Sequence, residues 1–115
     1  MSEVRVTEKH VGDIAILEIK GRFRLGDEPV LQKRVAALVE KGILNILFDI
    51  RVKEIDQAGL LEIHCCYVGL EKAGGRFGVI GNGGPVADLM RIVKFTQLFE
   101  IFDDSQTAIE ALGAT

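Results

Sequence analysis

The sequence predicts an α/β protein with a mixed, mainly parallel sheet of four or five strands. Strand-like and helix-like segments alternate along the chain in the order β-β-α-β-α-β-α-β-α, which is typical of right-handed crossovers between parallel strands. The stretch "ILNILFDI" at 43–50 is apolar on both faces, so we expect it in the centre of the sheet. At the N-terminus, two segments of period-2 alternation flank Gly12-Asp13 and predict a hairpin that adds an antiparallel strand.

Size and composition indicate one globular domain covering residues 1–115. Hydrophobic residues make up 48% of the 115 residues and charged residues 27%, which is enough for one core without disulfides. The net charge is −3, with no Trp and one Tyr. Because no basic block and few stacking side chains are present, we do not expect a nucleic-acid partner.

The N-terminal ten residues lack a basic region followed by an apolar run, and no apolar stretch is long enough to cross a bilayer. We therefore expect a cytoplasmic protein without direct membrane insertion. Cys65 and Cys66 are adjacent on a predicted helix, where a disulfide between them would be strained, so reduced and partly buried thiols are expected.

Four helices are predicted, at 27–41, 57–72 and 84–93 and in a closing segment after Asp104. Asp27 is the expected N-cap of the first, with Pro29 in its first turn; Asp56 caps the second, and Asp104 or Ser105 the last. The stretch "GRFRLGDEP" at 21–29 is expected to be a loop, and so is "RVKEIDQAG" at 51–59, which leads into the helix from about Gln57. The first three helices are expected to cover chiefly one face of the sheet. The expected core comprises Ile16, Leu38, Leu47, Phe48, Ile63, Val79, Leu89 and Phe99.

Residues that could carry catalysis are scarce. His10 falls at the hairpin and is interpreted as an exposed bystander. His64 and Cys65 are helical neighbours that face different directions, and no second ligand pair with zinc spacing occurs. The sequence thus predicts no metal site, no cofactor and no enzymatic activity.

The turn "GNGGP" at 81–85 precedes a helix and has two interpretations. It lacks the Lys-Ser/Thr of a P-loop and does not match G-x-G-x-x-G, which favours a plain strand-to-helix turn. Backbone N–H groups at a helix N-terminus attract anions, so a weak phosphate or nucleotide contact near Gly81–Gly84 is the alternative.

The helix predicted at 57–72 is less ordinary, because apolar residues cover about half of its circumference. These residues are Leu60, Leu61, Ile63, Tyr67, Val68 and Leu70. The opposite arc carries small or short side chains, namely Glu62, Cys65, Cys66 and Gly69. The helix either packs on the sheet and a neighbouring helix, or its first turns form a docking surface beside the "DQAG" tip at 56–59; the two are compatible.

Several motifs together resemble a STAS domain of the bacterial anti-sigma factor antagonist type. The most specific are Asp-x-x-Gly-Leu at 56–60 and Phe-Thr-x-Leu-Phe-x-Ile-Phe at 95–102, and "GRFRLGDEPVLQKRV" is similar to the family's Gly-Arg-Leu-Asp loop and following helix. The resemblance covers roughly residues 10–112. It implies a STAS fold and a docking role in signalling.

In that family the residue after the loop Asp is typically a serine, which a partner kinase that is also an anti-sigma factor phosphorylates. Phosphate brings about −1.5 to −2 charges to the docking surface and breaks the complex. The matching residue here is Gln57, followed by Ala58, and neither can be phosphorylated. A second departure is Arg24, at the position of the family's loop Asp, where it could pair with Asp56 or meet an acidic partner, or remain a solvated loop arginine.

The resemblance implies a regulator that binds a kinase-type anti-sigma factor or a related protein. The expected partner-binding residues are Asp56, Gln57, Gly59, Leu60, Leu61, Arg22, Phe23 and Arg24. Two alternatives are a cytosolic accessory subunit of an ABC-type lipid transporter and a stressosome-like scaffold component. An exposed apolar stripe on helix 57–72 would also be compatible with a weak homodimer.

Overall fold

A five-stranded sheet with a short additional strand pair forms the framework. The computed structural model describes residues 4–23, 29–52 and 54–113. In chain order the strands are Arg5–Val11 (β1), Ile14–Lys20 (β2), Arg22–Phe23 (β3), Asn45–Ile50 (β4), Glu54–Ile55 (β5), Arg76–Ile80 (β6) and Glu100–Phe102 (β7). The main sheet has the order β1-β2-β4-β6-β7, with β1 antiparallel and the rest parallel. The apolar segment 43–50 was predicted to form the central strand. This prediction is confirmed, because β4 has two strands on either side of it.

Within residues 4–23, 29–52 and 54–113, four helices cover the two faces of this sheet unequally. They are Val30–Glu40 (α1), Gln57–Lys72 (α2), Pro85–Ile92 (α3) and Ser105–Gly113 (α4), with one 3₁₀ turn at Phe95–Gln97. Buried side chains of α1, α2 and α3 pack in one cluster on one face. Buried side chains of α4 pack in a smaller cluster with Ile14 and Ile16. The predicted coverage of chiefly one face by three helices is confirmed.

The hairpin and its second strand follow directly from the sequence. Gly12 has a φ of +60° in the two-residue turn between β1 and β2, a conformation that glycine adopts without steric cost. Along β2, Ala15 and Leu17 belong to the larger cluster, whereas Ile14 and Ile16 belong to the smaller. Both faces of β2 are therefore buried, as its apolar alternation predicts.

Two details of the helices differ from the sequence prediction. Helix α1 begins at Val30, and Pro29 occupies the N-cap position without a side-chain hydrogen bond; Asp27, the predicted cap, lies outside the described residues. In α3, Met90 is fully buried and Leu89 only half-buried, so the prediction of Leu89 in the core was wrong. The other seven predicted core residues are buried.

The connections after β2 and β4 are not simply loops. Arg22 and Phe23 pair in parallel with Glu54 and Ile55, forming a two-stranded sheet just before α2. Two residues per strand are too few to show any periodicity, which explains why the sequence predicted loops there.

Within the described residues, no helix is long and apolar enough to span a membrane.

Candidate docking surface

The tip that leads into α2 is fixed by a helix cap. Asp56 has extended backbone angles, and its Oδ1 accepts a hydrogen bond from the backbone N–H of Gly59 at 2.9 Å. The carbonyl of Asp56 accepts the N–H of Leu60 at 3.1 Å, the first bond of the helix. The predicted N-cap is confirmed, and because Asp56 is held by the backbone, the first turn of α2 is presented in one defined geometry.

Gln57 occupies the first helical position and its side chain is exposed, as predicted. Ala58 follows it, half-buried, and Gly59 is buried. The small Ala and Gly therefore keep the inner side of the first turn close to the protein, while the outward position carries a neutral amide. No hydroxyl is present at either Gln57 or Ala58 to accept a phosphoryl group.

The backbone of β3 lies beside this tip because of its pairing with β5. Arg22, Phe23 and Arg24 were expected among the partner-binding residues. The Arg22–Phe23 backbone lies next to Glu54–Ile55, immediately before Asp56, and Arg24 lies outside the described residues.

Leu61 is the most exposed apolar side chain of α2. The buried stripe of the helix consists of Gly59, Ile63, Cys66 and Leu70, which differs from the predicted wheel by placing Cys66 inside. Leu60 is half-buried, whereas Leu61 is 60% exposed. Ile63 and Leu70 thus account for the packing of α2 on the sheet, and Leu61 contributes little to it.

A second wall faces Leu61 across a groove, and the sequence reasoning missed it. This wall is the segment 93–98, which follows α3 and contains the 3₁₀ turn; Val93 and Leu98 in it are 43% and 40% exposed. The resulting cavity, the α2–3₁₀ groove, has a volume of about 430 Å³. Its apolar lining consists of Leu60, Leu61, Val93, Phe95 and Leu98, and His64 also lines it. Among described residues, two large exposed apolar side chains lie outside the groove lining: Ile92 at the end of α3, 75% exposed, and Val11 on the hairpin.

A chain of edge-to-face aromatic contacts connects the groove to the core. Phe95 in its wall packs edge-on against Phe99 with ring centroids 5.6 Å apart, and Phe99 packs on Phe77 at 5.0 Å. Phe77 in turn meets Phe48 of the central strand at 4.8 Å. These contacts tie the 3₁₀ turn to the core, so the second wall is a packed part of the fold.

His64 lies at the floor of the groove, near Phe95 and Tyr67 with ring centroids 6.1 and 6.4 Å away. Its Nδ1 is the one buried side-chain polar atom among described residues without a hydrogen-bond partner. Across the described residues, no group of three His, Cys, Asp or Glu side chains could hold a metal. His10 is exposed and its Nε2 lies 2.7 Å from Glu8 Oε2.

The two cysteines are free thiols in different surroundings. Cys65 is exposed and Cys66 is buried, in agreement with the prediction of unpaired thiols. Burial raises the pKa of Cys66 well above the ordinary thiol value, with the Glu62 carboxylate adding to the effect. Cys66 is therefore a protonated core side chain at neutral pH and not a nucleophile.

The turn 81–85 is explained by packing. Gly81 is buried, and a Cβ at this position would collide with the side chain of Ala87 in α3. Asn82, at a φ of +56°, donates from Nδ2 to Asp49 Oδ1 at 2.7 Å and to the Ile50 carbonyl at 3.2 Å. Asp88 brings a negative charge to the first turn of α3, which disfavours a bound anion there. These contacts favour the plain strand-to-helix turn.

Comparisons with known proteins agree with this geometry. A family model described as the STAS domain matches residues 5–108. Comparison with curated protein sequences gives no match.

Among solved structures, an anti-sigma factor antagonist from Mycobacterium paratuberculosis has a TM-score of 0.84 at 18% identity, covering 96% of this chain and 94% of its own. A putative antagonist from Thermotoga maritima has a TM-score of 0.80 at 20% identity, with 94% of both chains covered. The unphosphorylated form of the anti-sigma factor antagonist SpoIIAA has a TM-score of 0.75 at 15% identity, covering 96% of this chain and all (100%) of its own. At these identities the likeness is one of fold.

Proposed function

Because this chain belongs to the STAS domain family, we propose that it is a non-enzymatic docking module that binds a kinase-type anti-sigma factor or a related signalling protein. The α/β fold with its four helices and mixed sheet is that of the anti-sigma factor antagonists it resembles in structure. The proposed binding surface is the tip at Asp56 and Gln57 together with Gly59, Leu60 and Leu61, flanked by Arg22, Phe23 and Arg24.

The observation that carries this proposal is the exposure of Leu61 beside a rigidly capped tip. A leucine that is 60% exposed contributes little to folding, but it offers apolar area to a partner. The Asp56 cap holds the first turn of α2 in place before binding, which lowers the ordering cost that a flexible tip would incur. Exposed apolar area on a preorganised element is what a protein-binding surface requires.

The chemistry of the tip supports constitutive binding. Phosphorylation at the family position would add charge and bulk in the centre of this surface. Gln57 carries no hydroxyl and Ala58 none, so a partner kinase has no acceptor there. We infer that the surface is permanently in the state that the antagonist family uses for binding, and that any control acts through another residue or through the partner.

Affinity purification with matched baits tests this proposal. Wild type, Leu61→Asp and Val11→Asp are used as baits on the cytosol and membrane fractions of the native cell. Val11 is a suitable control because it is 42% exposed but lies on the hairpin. We expect wild type and Val11→Asp to recover a serine-kinase-type protein that Leu61→Asp does not. Recovery of an ABC ATPase instead would overturn the partner class, and equal recovery by all three baits would overturn the surface.

A further inference from the structure

The α2–3₁₀ groove is too open to enclose a small molecule. Sites for small ligands bury about 70–90% of the ligand surface. Here the two rims are formed by Leu61 and Leu98, which are 60% and 40% exposed and stand on opposite walls of a cavity of about 430 Å³. An occupant between them would keep one side in water unless it belonged to a larger body. The groove therefore fits a segment on the surface of another protein.

The backbone of the walls restricts the conformation of that segment. One wall is α2, and the other is the segment 93–98 with the 3₁₀ turn, in which Gln97 N–H donates to the Lys94 carbonyl and Leu98 N–H to the Phe95 carbonyl. Neither wall is a sheet edge, so neither offers a row of backbone groups to pair with an added strand. An α-helix satisfies its backbone hydrogen bonds internally, so it fits a groove whose walls offer no backbone partners.

The charge of the groove restricts the side chains of that helix. The described lining residues include no carboxylate, and their one charged group is Lys94. The polar remainder is the amides of Gln57 and Gln97 and the ring of His64. At the same end the Asp56 carboxylate caps the N-terminus of α2 and offsets its partial positive charge. The charge that distinguishes the groove is therefore the Lys94 ammonium, which favours an acidic group beside it.

Lys94 has a left-handed backbone conformation, which glycine would adopt more easily than lysine. Its φ of +66° is one of two positive values among described non-glycine residues, and an L-residue there costs roughly 1–2 kcal/mol that glycine would not. The position turns the chain from α3 into the 3₁₀ turn, and its N–H donates to the Arg91 carbonyl at 3.1 Å. Glycine would serve this turn better, whereas lysine adds a cation at the rim of the groove.

We propose that the α2–3₁₀ groove receives an amphipathic α-helix of the partner protein, with apolar side chains between Leu61 and Leu98 and a carboxylate side chain beside Lys94. This inference rests on the docking role proposed above and adds the partner's chemistry. It also assigns binding residues, Lys94 and Leu98, that lie outside the predicted site. Leucine-type side chains at i, i+3 or i+4, and i+7 would match a groove between α2 and the 3₁₀ turn.

A displayed library of helical 18-residue peptides tests the proposal. Each peptide carries a fixed leucine stripe at helical spacing, and the flanking positions are randomised over acidic, basic and neutral residues. The full chain is used as wild type and as four variants: Leu98→Asp, Lys94→Gly, Lys94→Glu and the control Val11→Asp. Lys94→Gly removes the cation and relieves the backbone cost, so a loss of binding in this variant cannot be attributed to unfolding.

Wild type and Val11→Asp are expected to enrich peptides with Asp or Glu beside the stripe. Selected peptides should lose about tenfold or more in affinity to Leu98→Asp, because the substitution places a carboxylate against their leucine stripe. They should also weaken with Lys94→Gly, and Lys94→Glu should shift the selection towards Lys and Arg. No enrichment, enrichment without acidic preference, or binding that is indifferent to Leu98→Asp would overturn the proposal.

The outcome is separable from that of the proposed function. Once a native partner is recovered, its affinity is measured for Leu61→Asp, Leu98→Asp and Lys94→Gly. Loss with Leu61→Asp alone keeps the docking role and rejects the helix in the groove. Loss with all three supports both, whereas indifference to all three rejects the docking surface as a whole.

Discussion

The side chain of Glu62 in α2 accepts a hydrogen bond from the backbone N–H of Leu31 in the first turn of α1, with Glu62 Oε1 and Leu31 N 2.8 Å apart. Pro29, at the N-cap position of α1, provides no such bond from its own side chain. One helix is thus capped by a residue of the next, 31 positions away in sequence. The contact joins α1 to the helix that carries the proposed docking surface.

Replacing Glu62 with Ala should lower the free energy of unfolding by about 1–2 kcal/mol, since it removes an N-terminal cap from α1. Chemical denaturation measures the loss. Glu40→Ala, at the exposed end of α1, is the matched control and should change stability by less than about 0.5 kcal/mol. Equal effects of the two substitutions would show that the Leu31 N–H is not capped in solution.

Asp56→Ala should destabilise the protein by about 0.5–2 kcal/mol, because the Gly59 N–H loses its acceptor at the start of α2. Asp56→Asn keeps a side-chain acceptor and should cost less. Denaturation midpoints of the three proteins give the comparison. If Asp56→Asn and Asp56→Ala are equally destabilised, the charge of Asp56 and not its capping bond is what matters.

Leu47→Ala and Leu61→Ala compare the same truncation at a buried and at an exposed leucine. Leu47 is fully buried in the central strand and should lose about 2–5 kcal/mol on truncation. Leu61 is 60% exposed and should lose less than about 1 kcal/mol. A loss under about 1 kcal/mol for Leu47→Ala would contradict the central position of β4.

Stability should fall in acid partly through Glu18. The Lys20 ammonium, whose Nζ is 2.9 Å from Glu18 Oε1, is the main cause holding the pKa of Glu18 below its ordinary value, and Arg51 and Lys9 add to it. A lowered carboxyl pKa stabilises the fold at pH values above the unfolded-state pKa, and this contribution is lost as the pH falls through the folded-state pKa. The Thr107 N–H acts in the same direction on the pKa of Asp104.

The free energy of unfolding should therefore stay level from neutral pH down to about pH 5 and decline below it. Glu18→Gln should be less stable than wild type at pH 7 but should show a smaller decline. Urea titrations at a series of pH values between about 7 and 3 measure both slopes. Parallel pH profiles for wild type and Glu18→Gln would exclude Glu18 as a contributor.

The sequence revealed those features that depend on neighbours in the chain. The Asp56 cap, the Gly12 turn and the two apolar faces of β2 each follow from a few consecutive residues. Leu89 shows the limit, because Ala87 of α3 lies buried against Gly81, a contact with a residue outside the helix that its own sequence does not reveal. Three residues beyond Ala87, Met90 falls on the same inward face, whereas Leu89 does not.

The proposed surface shows the same division. Asp56 and Leu61 could be identified from the sequence because a cap and an apolar run are local signals. The opposite wall, with Val93 and Leu98, becomes part of the surface only when the 3₁₀ turn is placed beside α2, where Phe95 lies near His64. The sequence carries one local signal for this wall. The stretch 92–99 has more apolar side chains than a single buried face can cover.

Gln57 variants and Leu61→Asp provide the most direct measurement of whether the tip and first turns of α2 are a permanent docking surface. The affinity of a recovered native partner is titrated against wild type, Gln57→Ala, Gln57→Glu, Gln57→Arg and Leu61→Asp. We expect Gln57→Ala to change the dissociation constant only modestly and Leu61→Asp to weaken binding by about tenfold or more. Gln57→Glu should fall between them, because one negative charge is less than that of phosphate and the N-terminus of α2 offsets about 0.3–1 kcal/mol of repulsion. Unchanged affinity for Gln57→Glu, Gln57→Arg and Leu61→Asp together would contradict the account and leave only the fold standing.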